Sequence, residues 1–455
     1  MDSLYATYPA MGSHNLHTNS SLPLQILHGC RDGAIQAFRT IIPEPQNRIP
    51  ITPAVAPEML VSLLPYLFLA YLARREGTYL IRLLLLPSVL TSSLWSAFAH
   101  VWTQPRLNVY NWGQCLMAIY LCGRSLEFAL TPEGMLKLDE IRPGVSKGKA
   151  SSNGSAYIEE VQPSSTWIPK WFGDAMELAH TLRGLQFKFG RNMHLPHDSR
   201  PMERGPFLKA TGISFIQHFL IVDILETILK LFPGVGSVEG GSMFYPELSI
   251  IPRYATSTLI HMITGTCLLS GFYMVYHLVT LFAVGIVGDK PSQWPPVLDN
   301  PWISESLHEL WATRWHQLLR QTFLVYGGYP GRWIAGNLGM LFGVFIASGL
   351  FHELGMYGMG HGIDHATIKF FMAQAPFMML ERVFKRVTGR RIHGWPGRLW
   401  VYLIMYVLAQ PMIDSWHRRG LGGGMIIPPP MSPARILIKF FSRNYSLFVY
   451  PERSA

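Results

Sequence analysis

The sequence predicts an all-α, polytopic transmembrane helix bundle, and three observations carry that reading. Charged residues make up only 15% of the 455 positions and hydrophobic ones 49%, with a mean hydropathy of +0.19. A soluble domain carries about 25% charged residues, so this chain is short of solvating surface. The apolar residues fall in long runs separated by polar connections, the spacing of membrane helices of ~20 residues. The net charge of +10 sits mainly between those runs rather than in one aromatic-interleaved patch. Such a distribution points to loops facing anionic headgroups and not to nucleic acid. The same numbers exclude a disordered chain, a coiled coil and most cytosolic enzymes. Cys30, Cys115, Cys122 and Cys267 show no CxxC spacing, so neither a disulfide framework nor a zinc finger is indicated.

Residues 1–53 read as a polar, Pro- and His-bearing N-terminal arm without the pattern of a cleaved signal peptide. The membrane-embedded core is placed at 54–415 and an amphipathic tail at 416–455. Within the core, apolar segments at 59–73, 78–101 and 109–130 precede a large polar insert, 131–206, with two amphipathic pieces at 165–173 and 175–189. Further segments lie at 207–232, 254–287, 332–355, 365–385 and 398–414, giving about eight spans. The run 254–287 exceeds one span, so it is either bent or partly re-entrant. No internal repeat suggests an inverted-repeat transporter. The densest basic run, Lys385–Arg391, is assigned to the cytosol. Counting back puts 288–331 and the insert there too, while 233–253 and 356–364 carry almost no basic residues. Arg418, Arg419, Lys439 and Arg443 break this pattern, and one re-entrant segment would restore it. Asn19, Asn153 and Asn444 begin N-x-S sequons, so the chain is a candidate glycoprotein, with Asn153 unmodified if the insert is cytosolic.

Polar groups inside apolar runs are costly and mark candidate functional sites. The segment Phe345–Tyr357 places His352 and Glu353 near the end of a Gly-rich span. The imidazole serves either as a hydrogen-bond partner of a neighbouring helix or as a general base near neutral pH. Gly339 and Gly343 upstream form a GxxxG pair that admits a second helix backbone. A second candidate is Trp311-Ala-Thr-Arg314-Trp315-His316-Gln317-Leu-Leu-Arg320, read either as an aromatic belt with snorkelling arginines or as an interfacial site segment. Arg314 and Arg320 offer contacts for phosphates. Asp223, Glu226, His218 and Glu381 are read first as structural, and Arg124 and Glu127 are spaced to pair on one helix face. No HExxH, adjacent-His, GxSxG, Walker or GxGxxG motif occurs, and His361 with His365 form a lone HxxxH pair, so no metal is expected.

Arg314-Trp315-His316-Gln317, followed by Ser348-Gly-Leu-Phe351-His352-Glu353-Leu354, resembles the wax synthase-like branch of the membrane-bound O-acyltransferases. The similarity is greatest to fungal acetyltransferases of terpenoid and meroterpenoid metabolism. Leu182–Arg191 is similar to that branch's RG-I-G-W signature, departing from it at Gln186 and Phe187. The resemblance covers roughly residues 55–415. It implies a bundle penetrated by a tunnel, in the endoplasmic reticulum membrane, where acetyl passes from acetyl-CoA to the hydroxyl of a lipophilic alcohol. The family histidine falls on His352, as general base, and its upstream partner on His316. Arg314, Trp315 and Arg320 are then assigned to the acyl-CoA donor, and the partners are the donor, the alcohol and the bilayer. Long-chain wax or sterol ester synthesis is the alternative within this chemistry, and a transporter or binding protein the alternative outside it. With 332–355 as one straight helix, His352 lies ~30 Å from residue 332, toward the face opposite a cytosolic donor. A tunnel crossing the membrane, or re-entry of 300–331, would bring the two histidines together.

Overall fold

The computed structural model describes residues 22–146 and 169–441, so the three sequons and residues 165–168 of the insert lie outside the described residues. The helices, in chain order, are α1 (Leu22–Ile41), α2 (Ala56–Ala73, broken at 62–63), α3 (Tyr79–Phe98), α4 (Asn108–Leu130), α5 (Lys170–His180), α6 (Arg204–Leu229) and α7 (Ile250–Phe282). They continue with α8 (320–334), α9 (337–358), α10 (His365–Thr388), α11 (394–418) and α12 (Pro433–Phe441). The strands among the described residues are two short pairs, Ile49–Pro50 with His100–Val101 and Glu140–Arg142 with Val145–Ser146. Five pieces are long and apolar enough to cross a membrane: Ala56–Ala73, Tyr79–Phe98, Arg204–Leu229, Ile250–Val287 and Arg320–Gly358. The more polar α4, α10 and α11 match them in length. The run at 254–287 is one long helix closed by a π turn, Ala283–Val287, ending on left-handed Gly288. Of the insert's two amphipathic pieces, the described part forms one helix, α5, followed by loop.

Arg320–Gly358 is not a single span. At Ala335 (φ −140°, ψ 30°) and Gly336 (φ 59°, ψ −144°) the backbone leaves the helix and the chain doubles back. Only glycine adopts that second conformation without strain. The arms then meet backbone to backbone: Gly327 faces Gly343 and Gly331 faces Gly339, and a Cβ on any of the four would fall inside 3.0 Å of a facing carbonyl. The GxxxG pair expected to receive another helix therefore receives the chain's own preceding arm. The single straight helix expected at 332–355 is corrected accordingly: α8 is a re-entrant arm, and α9 is the span.

Hydrogen bonds sort the helix ends onto two faces. On one, Arg82 donates to the carbonyls of Thr131 (2.8 Å) and Pro132 (3.0 Å), Arg183 to that of Pro296 (2.8 Å) and Arg200 to that of Trp294 (2.6 Å). Gly394 N–H reaches Glu305 at 2.9 Å on the same face. The insert, the 284–305 segment and the basic run after α10 therefore share this face. On the other, Asn108 donates to Gly420 O (2.7 Å), Lys230 to Gly422 O (2.6 Å) and Ile49 N–H to Ala99 O (2.7 Å).

The tail begins on that second face and turns back into the bundle. Three ionisable residues on one side of α6 hold it: Lys230 donates to the carbonyls of Gly422 and Gly424, Glu226 accepts from Ile426 N–H and from Arg435, and Asp223 accepts from Ser432 and from Ala434 N–H (2.8 Å). Irregular backbone within a bundle is stable only where its polar groups are paired like this. Arg419, one of the residues that break the charge pattern, is the buried counter-ion of Glu353, and Arg435 is that of Glu226. They carry no information about sidedness. Among the described residues of the tail, α12 is the amphipathic helix, with Ile436 and Leu437 exposed.

Candidate active site

The reversal at 335–336 places the two sequence-singled histidines together. His316 precedes Gly327 by eleven residues and His352 follows Gly343 by nine, so folding the chain about the Gly pair returns both to one depth. The imidazoles lie within range of direct charge interaction. Re-entry of the upstream segment, one of the two arrangements that would join them, is the arrangement found.

The segment before α8 is wound to make this work. A short π turn, Leu310–Arg314, follows a helical turn capped by Ser306, whose hydroxyl accepts from Glu309 N–H at 3.0 Å. Glu381 of α10 accepts the N–H groups of Leu307 (2.6 Å) and His308 (3.1 Å) and the indole of Trp400 (3.0 Å), and so anchors that turn. His316 then emerges in irregular backbone, 8% exposed, between Trp315 (ring centroids 5.5 Å) and Phe272 (4.9 Å). His352 stacks on Phe371 at 4.9 Å and 11°, with Trp416 at 6.3 Å. Trp311 joins the two halves, 5.6 Å from Trp315 and 6.1 Å from Phe371.

In both histidines Nδ1 is sealed without a hydrogen-bond partner among the described residues. Neither ring makes a side-chain hydrogen bond there, which leaves Nε2 as the accessible nitrogen of each. His352 itself is half-buried. Glu353, next in sequence, does not orient the imidazole. It is 2% exposed, takes both nitrogens of Arg419 (2.6 and 3.0 Å) and accepts Asp364 N–H at 2.7 Å. Arg419 is the residue sequence reasoning missed. The signal was available, since an acid buried beside the site requires a cation.

The remaining predicted residues lie as follows. Arg314 is held by Glu309 (2.6 Å) and by the carbonyl of Asp299 (3.0 Å). Arg320 is exposed and its guanidinium has no polar partner among the described residues, while Leu319 beside it and Leu182 of the insert both pack against one apolar cluster. Trp315 is half-buried against His316. Arg124 and Glu127 pair on one face of α4, as expected, and Glu127 also accepts from Gln321 of α8 at 2.5 Å. His361 and His365 are both exposed, and no three metal-binding side chains gather among the described residues.

Residues 294–373 match the membrane bound O-acyl transferase family, a stretch that contains both histidines and the hairpin between them. Over that stretch the chain is similar to the membrane-bound O-acyltransferases. Curated relatives of this chain include the acetyltransferase eriL of Hericium erinaceus, 23% identical over 58% of this chain and 70% of its own. The acetyltransferase aurG of Calcarisporium arbuscula is 26% identical over 47% of this chain and 55% of its own. The acetyltransferase atnC of Arthrinium sp is 24% identical over 49% and 55% respectively. The matched region thus spans only about half the length of the last two.

Proposed function

We propose that the protein transfers acetyl from acetyl-CoA to a hydroxyl of a lipophilic secondary metabolite, a terpenoid or meroterpenoid, from within the endoplasmic reticulum membrane. The observation that supports this most is the meeting of His316 and His352, each with an accessible Nε2, inside an aromatic-walled interior. In that setting His352 Nε2 accepts the alcohol proton as the alcohol oxygen attacks the thioester carbonyl. The C–O bond forms, the C–S bond breaks, and the coenzyme thiolate leaves and is reprotonated by the imidazolium. His316 orients the reactants or donates to the developing oxyanion, in a site where exclusion of water strengthens such a contact. Glu353, the carboxylate next to His352, is not available as the base, since it is committed to Arg419. Holding both reactants in register supplies much of the rate.

Arg320 is the donor-facing cation of choice, exposed four residues after His316, and Trp315 immediately precedes that histidine. Arg314 acts through Glu309 and Asp299 to hold the loop that carries His316. Radiolabelled acetyl-CoA supplied to membranes with a panel of terpenoid alcohols tests the reading. Wild type gives labelled ester and a normally expressed His352→Ala variant gives near-background label. Equal transfer by the two removes His352 as the base. Silence with acetyl-CoA and activity with long-chain acyl-CoA would replace acetyl transfer by wax or sterol ester synthesis.

A further inference from the structure

A cavity of about 290 Å³ lies beside this site, between α6, α7 and the loop before Trp302. Its lining mixes apolar and polar groups: Leu269, Leu298 and Trp302 with His218, Ser270 and Asn300. It is one side chain from the catalytic pair. Leu269 and Tyr273 line it, and Phe272 between them packs against His316, with ring centroids 4.9 Å apart and planes tilted by 48°. Leu269 and Leu298 also pack with Trp315.

The chemistry of the lining selects its occupant. No Lys or Arg lines the cavity, so it does not suit the phosphates of an acyl-CoA. Trp302 of its lining is 40% exposed, and its carbonyl accepts from Tyr402 of α11 at 2.6 Å. His218 stacks on Tyr273 at 4.5 Å, makes no side-chain hydrogen bond among the described residues, and has its Nδ1 sealed. Its accessible nitrogen is therefore Nε2, in a ring that lines the cavity. Asn300 is held in left-handed backbone (φ 44°, ψ 66°) at the same wall. The volume lies at the lower end for ligand pockets, ~300–1,000 Å³, enough for one oxygenated end of a molecule.

We propose that this cavity binds the acyl acceptor, and that His218 with Asn300 recognises a second oxygen function on it, a hydroxyl or carbonyl distinct from the one acylated. The inference rests on the acyl-transfer reading above and names its acceptor more closely: a lipophile carrying at least two oxygens. The recognition is non-covalent, a hydrogen bond to or from His218 Nε2.

Two measurements on the full chain in membranes test it, with farnesol and 10,11-dihydroxyfarnesol as probes. In the first, His218→Phe raises KM for the dihydroxy alcohol about tenfold, the worth of one hydrogen bond, while KM for acetyl-CoA and for farnesol stays put. His218→Gln, which keeps a polar group, recovers part of that loss. Equal effects on both alcohols, or a shift in the acetyl-CoA KM, overturn the assignment. In the second, a Thr266→Cys variant is labelled with N-phenylmaleimide and read by peptide mass spectrometry. The dihydroxy alcohol slows labelling and acetyl-CoA does not. Protection by acetyl-CoA, or no labelling at all, overturns the assignment. Protection without any acetyl transfer keeps the cavity as the alcohol site and removes acetyl transfer, transfer without protection does the reverse, and absence of both removes both.

Discussion

Replacing Gly343 by Ala puts one methyl group where the two arms of the re-entrant hairpin touch. The new Cβ would point at the Gly327 carbonyl, far inside the 3.0 Å that real Cβ atoms respect, and ordinary contact begins at 3.4 Å. Both neighbours are backbone, so no side chain can swing away, and the arms must part by roughly 1 Å. Because the arms carry His316 and His352 at their far ends, that parting misplaces one relative to the other, and a 1 Å error in a reacting constellation costs about 100-fold in rate. Gly343→Ala should therefore lower kcat for acetyl transfer about 100-fold while KM for acetyl-CoA changes little. Intrinsic helix propensity works in the opposite direction, favouring Ala by about 1 kcal/mol, so weakened helicity does not explain such a loss. Gly212→Ala is the control, a helical position where an added Cβ meets nothing within 4 Å, and it should keep full activity. The assay is single-substrate kinetics with labelled acetyl-CoA in membranes containing equal amounts of each variant. A Gly343→Ala protein with kcat within about twofold of wild type would refute the argument that the glycine contact sets the histidine register.

Other outcomes follow from the buried charges. Arg435→Ala leaves Glu226 buried without its cation, and Arg419→Met does the same to Glu353. Each should cost about 3–5 kcal/mol, read as a fall in the detergent-solubilised Tm, and restored largely by adding Glu226→Gln or Glu353→Gln. In the insert, burial pushes the Glu140 carboxyl up, but hydrogen bonds from Arg74 and from the N–H groups of Lys137 and Gly144 outweigh it and hold it below its ordinary value of 4.5. Its contribution to docking the insert is therefore present above that value and lost as pH falls through the depressed one. Hydrogen exchange of residues 135–146, corrected for intrinsic rate, should rise at acid pH in wild type, whereas Glu140→Gln should show the higher rate throughout.

The five pieces long and apolar enough to cross a membrane were legible because hydropathy acts over ~20 residues and needs no tertiary information. The Arg124–Glu127 pair was legible for a similar reason, being three residues apart on one helix. The hairpin was not. A lone Gly336 in an apolar run reads as a tolerated residue within one span, and the signal lay in four glycines placed symmetrically about residue 335. Gly339 and Gly343 were noticed, whereas Gly327 and Gly331 fell in what passed for a loop. The site histidines were legible as costly polar groups, but their meeting depended on that hairpin. The pairing of Arg419 and of Arg435 was not legible because their partners are 66 and 209 residues away, beyond any local pattern.

That last separation has a consequence for biosynthesis. Asp223, Glu226 and Lys230 enter the membrane with α6 when the residues that neutralise them have not been translated. At ~5–20 residues per second, the roughly 200 residues from Asp223 to Ser432 take on the order of 10–40 s to emerge. During that interval a half-made bundle holds three ionisable groups without their native partners, in a solvent that penalises them. The final stretch of the chain is therefore the completing piece of the fold, and a ribosome that stops short of residue 435 releases a protein with an open seam through α6.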